Sequence, residues 1–383
     1  MILDWNKIRE ELFRRVEGYA VGVAVLFERA FKDILDLVLK AGIDPKKPFT
    51  FESYGLQKEL EKILRKLYSQ TYYGIQKGIE NEWSNSNDVT DDIIRYAFGK
   101  KSIPENLKPK LFARNKVAMD AFIQRKIDGM DLSKRVWNLT AGYKEELEMV
   151  LDLAIGEGTP AMKLASKLKK YLNEPDIFFR RFRVKIGEDE DGNPVYGRKW
   201  KRRIYDNEAK QYRWIDANPK DYHPGMGVYR SSARNAQRLA RTETNMAYRQ
   251  ADHERWSQLP FVKAIKVELS NNPNTCEVCE RLAGEYSASF VFIGWHPHCR
   301  CFAVAVLSSR EELDNMVDAI LDGGDPWSIP VEGRQTDLPD NFKEYLQENQ
   351  ERLQRAEERG KVPYFIDKNR KEIYKSNSLT YRR

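Results

Sequence analysis

All four cysteines of the chain lie between positions 276 and 301, and two of its four histidines lie among them. They are arranged as Cys276-x-x-Cys279 and, sixteen residues later, as His296-Pro297-His298-Cys299-Arg300-Cys301. A Cys-x-x-Cys turn directs two thiolates at one ion, and Zn²⁺ takes four tetrahedral ligands from Cys and His side chains. The spacing therefore predicts a zinc site whose ligands are Cys276, Cys279, Cys301 and one of His296, His298 or Cys299.

This zinc ion is predicted to be structural, because a set rich in thiolates leaves no position for the water that a catalytic zinc needs. Two alternatives remain open: two disulfides, or four free cysteines that pack as small apolar side chains. The N-terminus Met1–Trp5 lacks a secretory signal pattern, so we expect a reducing cytoplasm, which disfavours disulfides. Paired cysteines also occur in zinc deaminases, but these enzymes need a His-x-Glu motif upstream. The only upstream candidates, His253 and Glu254, are adjacent, so the sequence does not support a deaminase.

A second group of candidate residues interleaves basic with aromatic side chains between positions 178 and 214. Aromatic and basic side chains together hold single-stranded nucleic acids, and basic strands also bind duplex phosphates. The alternative is an ordinary sheet with its arginines in water, whose positive field is diluted by the acidic residues at 188–191. The candidate nucleic-acid ligands are Arg180, Arg181, Arg183, Arg198, Lys199, Arg202 and Arg203.

One predicted helix carries Arg234, Arg238, Arg241 and Asn245 on a single face. Arginines at this spacing suit phosphates, but their common role is a salt-bridged surface, and Glu243 lies nearby as a partner. The sequence contains no nucleophile with an evident general base and no glycine-rich phosphate loop. The residues thus show no catalytic constellation.

The composition indicates a soluble globular protein, with 41% hydrophobic and 32% charged residues. A net charge of +7 over 383 residues is too small to coat the chain with base, so any contact with a polyanion must be local. The longest apolar run, Ala20–Phe27, is far shorter than the about 20 residues of a membrane span. No membrane span is predicted.

The first third of the sequence has the apolar periodicity of helices. We predict a long helix with apolar residues from Ile8 to Val38, and a second helix over about 55–83. The polar stretch Ser84–Asp88 is expected to end the second helix in a loop. Further helices are expected at 91–98, 107–127 and 143–155.

Beyond position 175, the pattern predicts two or three antiparallel strands over 178–186 and 196–214. A helix from Ser231 or Ser232 to Trp256 follows, then strands at Phe261–Leu269 and Cys301–Leu307 and a helix over 340–359. The predicted fold class is α+β, with a mainly α-helical N-terminal region followed by a small α+β module that contains the zinc site.

Several sequence blocks, in this order and spacing, resemble the phage Mu F-like head morphogenesis family, whose members are minor head proteins. These blocks are Leu239-Ala240-Arg241-Thr242-Glu243-Thr244-Asn245, Cys276-x-x-Cys279-x-x-Leu282-Ala283-Gly284 and His296-Pro297-x-Cys299-Arg300-Cys301. The helical segment before them also resembles the family at Leu132-Ser133-x-Arg135-Val136-Trp137 and Gly156-x-Gly158-x-Pro160. His298 departs from the family pattern, and the matching position favours His296 as the metal ligand.

The resemblance implies a non-enzymatic minor head (capsid) protein of a tailed phage or prophage. Such a protein acts in head morphogenesis at or near the portal and, in some members, in DNA packaging or delivery. Its partners would be the portal or the major capsid protein and phage DNA, and it would reside in the virion head, or in the host cytoplasm during assembly. The alternatives are a DNA-binding adaptor that uses the basic strands and a toxin-like enzyme in the C-terminal tail.

The resemblance also frames a division of the chain. We expect a helical docking region at 1–130, a Mu F-like module at 131–307 with a basic hairpin inserted at about 175–225, and a helical tail at 308–383. The docking region is expected to contact the portal or shell through the apolar face of its first helix, unless that face is used within one helical bundle. That face carries Phe13, Val16, Val23, Phe27, Phe31 and Ile34.

Overall fold

The computed structural model describes residues 3–44, 47, 49–156, 166, 179–188, 194–206, 211–216, 231–270, 276–297 and 299–376. Within the strands of 179–216, it describes the side chains of 184–188, 194, 195, 197, 199, 201 and 213–216. The chain forms two compact units, which we call unit 1 (Met1–Gly18, Ile75–Asp131 and Arg241–Arg383) and unit 2 (Tyr19–Gly74 and Leu132–Ala240). The functional division expected from the sequence stays a prediction.

The N-terminal region is helical, as predicted, and the whole fold is α+β. Its helices are α1 (Trp5–Lys40), α2 (Gln57–Phe98), α3 (Lys108–Leu111), α4 (Lys116–Gln124) and α5 (Leu132–Gly156). Among the helices that the structure describes, none combines the length and the apolar character that crossing a membrane requires.

Unit 2 contains an antiparallel sheet of β1 (Phe179–Glu188), β2 (Pro194–Asp206) and β3 (Gln211–Asp216) in that order. This confirms the antiparallel strands predicted for the basic segment. In the same unit, the apolar face of α1 packs inward, with Phe27 against Tyr143 of α5 at 4.9 Å between ring centroids. Tyr143 also donates a hydrogen bond to the carbonyl of Phe27.

The apolar face of α1 is used within the protein, which is the alternative to docking that the sequence left open. Contact of this region with a portal or shell stays a prediction. Of its six residues, Val16, Val23, Phe27, Phe31 and Ile34 are all buried and Phe13 is partly buried. In unit 1, Phe13 and Val16 pack with Leu12, Tyr248 and Phe302. An amphipathic helix gains most by burying its apolar face, and here the protein's own core covers it.

The helix predicted from Ser231 or Ser232 to Trp256 is confirmed as α6 (Ser232–Trp256). Its residues up to Ala240 belong to unit 2, and those from Arg241 onward belong to unit 1. It is followed by β4 (Val262–Glu268), α7 (Glu277–Arg281), β5 (Gly284–Tyr286) and β6 (Phe302–Leu307). The strands form an antiparallel sheet in the order β5-β4-β6. Strands β4 and β6 were predicted, whereas the three-residue β5 was not.

The loop expected at Ser84–Asp88 is absent, because α2 continues through it to Phe98. Two of its polar side chains are buried and bond to α6: Ser86 donates to Asp252 over 2.7 Å, and Asn87 accepts from Arg255 over 2.7 Å. A buried polar group with a partner is tolerated inside a helix. The polar stretch therefore marks a helix contact.

The C-terminal segment belongs to the core of unit 1. It contains α8 (Arg310–Leu321), α9 (Asp340–Glu348), α10 (Gln350–Glu358), α11 (Tyr364–Asp367) and α12 (Arg370–Lys375), so the single helix predicted over 340–359 is two helices that meet at Asn349. Phe342 of α9 and Phe365 of α11 contact Trp295, which lies just before the predicted zinc ligand His296. The C-terminal helices thus pack beside the cysteine segment.

Candidate metal centre

The Cys-x-x-Cys sequence folds as the start of a short helix. Cys276 is the N-cap residue of α7, with an extended backbone (φ −89°, ψ 151°), and its sulfur accepts a hydrogen bond from the backbone N–H of Cys279 over 3.4 Å. This turn brings the two sulfurs to the same side of the segment, as the sequence spacing predicted.

His296 lies between these two sulfurs and a backbone carbonyl. Its Nε2 is 3.2 Å from the sulfur of Cys276 and 3.1 Å from the sulfur of Cys279. Its Nδ1 is 2.9 Å from the carbonyl oxygen of Pro297. A carbonyl at Nδ1 fixes the proton there and leaves the lone pair of Nε2 for an ion, the usual arrangement of a metal-binding histidine.

Cys299 and Cys301 complete the cluster from the segment that leads into β6. The sulfurs of Cys279 and Cys299 are 3.8 Å apart, and those of Cys279, Cys299 and Cys301 lie within 4.8 Å of one another. The ligand atoms of Cys276, Cys279 and His296 form a second group within the same limit, so Cys279 belongs to both. All four cysteines are described, and all are free thiols.

One of these distances matches an edge of a tetrahedral zinc site. With Zn–S bonds of about 2.3 Å, two sulfurs on a tetrahedral edge lie about 3.8 Å apart, which matches Cys279 and Cys299. The N···S distances to His296 are shorter than the about 3.6 Å of such an edge, so binding an ion would move the imidazole slightly outward. The cluster of Cys276, Cys279, His296, Cys299 and Cys301 can therefore hold a metal ion.

The thiols of the cluster differ in their pKa. Hydrogen bonds with Cys279 and Cys301 hold the pKa of Cys299 well below its usual value, and the positive charge of Arg249 acts in the same direction. The same hydrogen bond with Cys299 raises the pKa of Cys279. Negative charge on the sulfur of Cys299 is thus stabilised by its neighbours.

Two side chains of α6 hold the backbone of the cysteine segment. Asn245 Nδ2 donates to the carbonyl of Cys299 over 3.1 Å, and Arg249 Nη2 donates to the carbonyls of both Cys299 and Cys301. Arg249 is only 2% exposed, and its Nη1 donates to the carbonyl of Ile293. The helix therefore fixes three carbonyls around the cluster.

Gly294 makes room for this arginine. Its φ of +112° is one that side chains rarely adopt, and a Cβ at this position would lie 2.7 Å from Arg249 Nη1 and 3.1 Å from the Cβ of Cys299. Arg249 and Gly294 were not singled out from the sequence. A signal for Arg249 existed, because it follows Asn245 by four residues and continues the face of Arg238 and Asn245.

The structure brings together five of the six predicted ligand candidates, namely Cys276, Cys279, His296, Cys299 and Cys301, and His298 lies outside the described residues. The arginine stripe is salt-bridged in part, as expected. Arg241 binds Glu17 of α1 through both carboxylate oxygens, whereas Glu243 binds Arg125 rather than an arginine of its own helix.

The predicted nucleic-acid ligands lie on β1 and β2, which pair so that the backbone of Arg183 faces that of Arg198. The side chains of Arg180, Arg181, Arg183, Arg198, Arg202 and Arg203 lie outside the described part of the structure. Lys199 is exposed, with its Nζ 3.8 Å from Asp216 of β3. Their binding of nucleic acid stays a prediction.

Comparison with known protein families, with curated proteins and with solved structures found no match. The functional assignment therefore rests on the geometry above and on the resemblance carried by the sequence blocks.

Proposed function

We propose that this protein is a minor head protein of a tailed phage or prophage, and that its cysteine–histidine cluster binds a structural Zn²⁺. The main support for the proposal is a set of hydrogen bonds between two of the sequence blocks that resemble the Mu F-like family. The helix of the Leu239–Asn245 block bonds, through Asn245 and Arg249, to the carbonyls of Cys299 and Cys301 in the other block. Blocks that lie far apart in sequence thus build one structural element.

A structural rather than catalytic ion is supported by burial and by the number of ligands. Cys279, Cys299 and Cys301 are each less than 5% exposed, and the five candidate side chains form two groups of three that share Cys279. Cys276, Cys279 and His296 supply three ligands, and Cys299 or Cys301 supplies the fourth. A site closed by four protein ligands would stabilise the cysteine segment against the core of unit 1.

In this function the protein would join the head through the portal or the major capsid protein. Because the apolar face of α1 is buried, docking would use other surfaces. The packing of α9 and α11 against Trp295 supports a C-terminal segment that is part of the module rather than a separate toxin-like enzyme.

The test is co-expression of the chain with the portal and major capsid proteins encoded beside it, followed by isolation of assembled particles. The proposal predicts the chain in particles at low copy, and its loss when Cys276 and Cys279 are both replaced by Ser. The matched control is Lys361→Ser with Arg359→Ser, which changes exposed residues of the same unit. Particles that form normally and never contain the chain would refute it.

Contact with DNA is the second candidate role, and the exposure of Lys185, Lys199 and Arg213 on the three strands favours it. If these strands bind phosphates, replacing Arg198, Lys199, Arg202 and Arg203 with Ala should weaken DNA binding. The salt dependence should also flatten by about one counterion per lost contact. An unchanged salt dependence would assign these residues to ordinary surface.

A further inference from the structure

Four aromatic side chains of unit 2 form a continuous group on α2 and α5, which we call the aromatic patch: Tyr68, Tyr72, Tyr73 and Trp137. The ring of Tyr68 stacks on Tyr72 at 6.2 Å between centroids and meets the edge of Trp137 at 5.5 Å. Tyr73 contacts Tyr72 at 5.3 Å, and the hydroxyl of Tyr68 is 2.7 Å from that of Ser133. These contacts hold the rings in fixed positions.

The patch is unusually open to solvent. Tyr73 is 66% exposed and Trp137 is 43% exposed, although large aromatic side chains gain most from burial. Tryptophan and tyrosine are also the residues that contribute most binding energy at protein–protein interfaces. Rings already fixed by neighbours lose little conformational entropy when a partner covers them.

The charge around the patch is mainly positive. The stretch 61–74 contains Lys62, Arg65 and Lys66 against Glu61, and the stretch 131–145 contains Lys134, Arg135 and Lys144 against Asp131 and Glu145. Over the whole chain the acidic residues are nearly as many as the basic ones, 58 against 65. Arg65 precedes Tyr68 by three residues and Lys134 precedes Trp137 by three, so each exposed base lies beside a ring on its helix.

We propose that the aromatic patch is a docking surface for an acidic segment of a partner protein. Such a segment would place apolar side chains on Trp137 and Tyr73 and carboxylates on Arg65 and Lys134. A protein partner is favoured over single-stranded nucleic acid, because the rings of Tyr68 and Tyr72 stack on each other and leave less ring face for bases. This inference requires neither the metal ion nor the head-protein function.

The test uses the full chain and a fluorescein-labelled helical peptide with Glu on one face and Leu on the other, titrated by fluorescence anisotropy. Tyr73→Ala and Trp137→Ala should each weaken binding about ten-fold or more. Arg65→Glu with Lys134→Glu should weaken it and flatten its salt dependence, whereas Arg65→Lys should not. Trp327→Ala is the matched control, since Trp327 is 51% exposed and lies in unit 1.

Both aromatic substitutions are at exposed positions, and circular dichroism checks that each variant is folded. The proposal is overturned if the wild-type chain does not bind the peptide, or if the Ala variants bind it equally well. It is also overturned if a thymidine oligonucleotide binds more tightly than the peptide and loses affinity in the same variants, which would assign the patch to nucleic acid. Self-association that the Ala variants abolish would assign it to a second copy of the chain.

Discussion

The guanidinium of Arg249 donates from Nη2 to the carbonyl oxygen of Cys299 over 3.0 Å. An arginine of a helix thus holds the backbone of a predicted metal ligand, and the same nitrogen also bonds the carbonyl of Cys301. The arginine is buried, and its charge interacts favourably with the thiol of Cys299 and with the carboxyl group of Asp252. The folding of the cysteine segment and the position of α6 therefore depend on each other.

Replacing Arg249 with Met should remove this link. The buried carbonyls of Ile293 and Cys301 would lose this donor, at a cost of about 1–3 kcal/mol for each unsatisfied group, whereas the carbonyl of Cys299 would keep its bond from Asn245. We expect a lower free energy of unfolding in urea, together with a lower metal content per chain. Arg370→Ala is the control, because Arg370 makes only half-exposed ion pairs with Glu357 and Asp367. Equal effects of the two substitutions would contradict the role given to Arg249.

Gly294→Ala should be disruptive for two separable reasons, a backbone with φ of +112° and a Cβ only 2.7 Å from Arg249 Nη1. Gly323→Ala separates them, because Gly323 has φ of +74° and nothing within 4 Å of the added Cβ. The Gly323 variant should lose about 1 kcal/mol of stability from backbone strain alone. The Gly294 variant should lose clearly more, measured by urea unfolding, and a smaller loss at Gly294 would argue against close packing there.

The contact between α5 and α6 should depend on pH. Burial raises the pKa of Glu146 to about 7 from its ordinary 4.5, although its carboxylate accepts bonds from the backbone and hydroxyl of Ser232. The folded state therefore holds a proton that the unfolded state releases, so stability falls as the pH rises from about 4.5 to about 7. The full loss is about 3 kcal/mol.

Glu146→Gln keeps the acceptor for Ser232 and removes the titration. Between these pH values, the free energy of unfolding should therefore fall less in this variant than in the wild type. Above neutral pH, the variant should be the more stable of the two. Glu52→Gln is the control at an exposed position of the same unit. If the wild-type profile is flat, or if both variants change it alike, Glu146 is not the group responsible.

Local signals in the sequence predicted most of the fold. Apolar periodicity indicated α1, the first part of α2 and α6, and the alternation of residue types indicated β4 and β6. The Cys-x-x-Cys spacing predicted a turn that brings Cys276 and Cys279 together, and the structure places the other predicted candidates His296, Cys299 and Cys301 in the same cluster. Each of these features depends on residues close in sequence.

The remaining features depend on distant partners. The polar residues at 84–88 have the composition of a loop, whereas in the helix Ser86 and Asn87 pair with Asp252 and Arg255, more than 160 positions away. The apolar face of α1 has the same pattern whether a partner or the chain itself covers it. The role of Arg249 likewise requires carbonyls more than 40 positions away.

Arg255 tests this account of α2. Its guanidinium is 4% exposed and binds Asp91 and Asn87 of α2 and the carbonyls of Leu111 and Ala113. Arg255→Met leaves the carboxylate of Asp91 buried with only Arg114 as a partner, and should cost about 3–5 kcal/mol. Hydrogen exchange should show the segment at 84–98 opening more readily. Arg95→Ala, which removes an exposed pair with Asp92, is the control and should have little effect.

The central claim is that the cysteine–histidine cluster binds one structural zinc ion. It is tested most directly by measuring the metal content and the intact mass of the full chain purified under reducing conditions without chelator. We predict about one zinc per chain. In Cys279→Ser the zinc should be lost and unit 1 should unfold. Of Cys299→Ser and Cys301→Ser, one should lose the zinc, because it removes the fourth ligand, and the other should keep it. A zinc content near zero, or a mass that shows two disulfides, would contradict the claim.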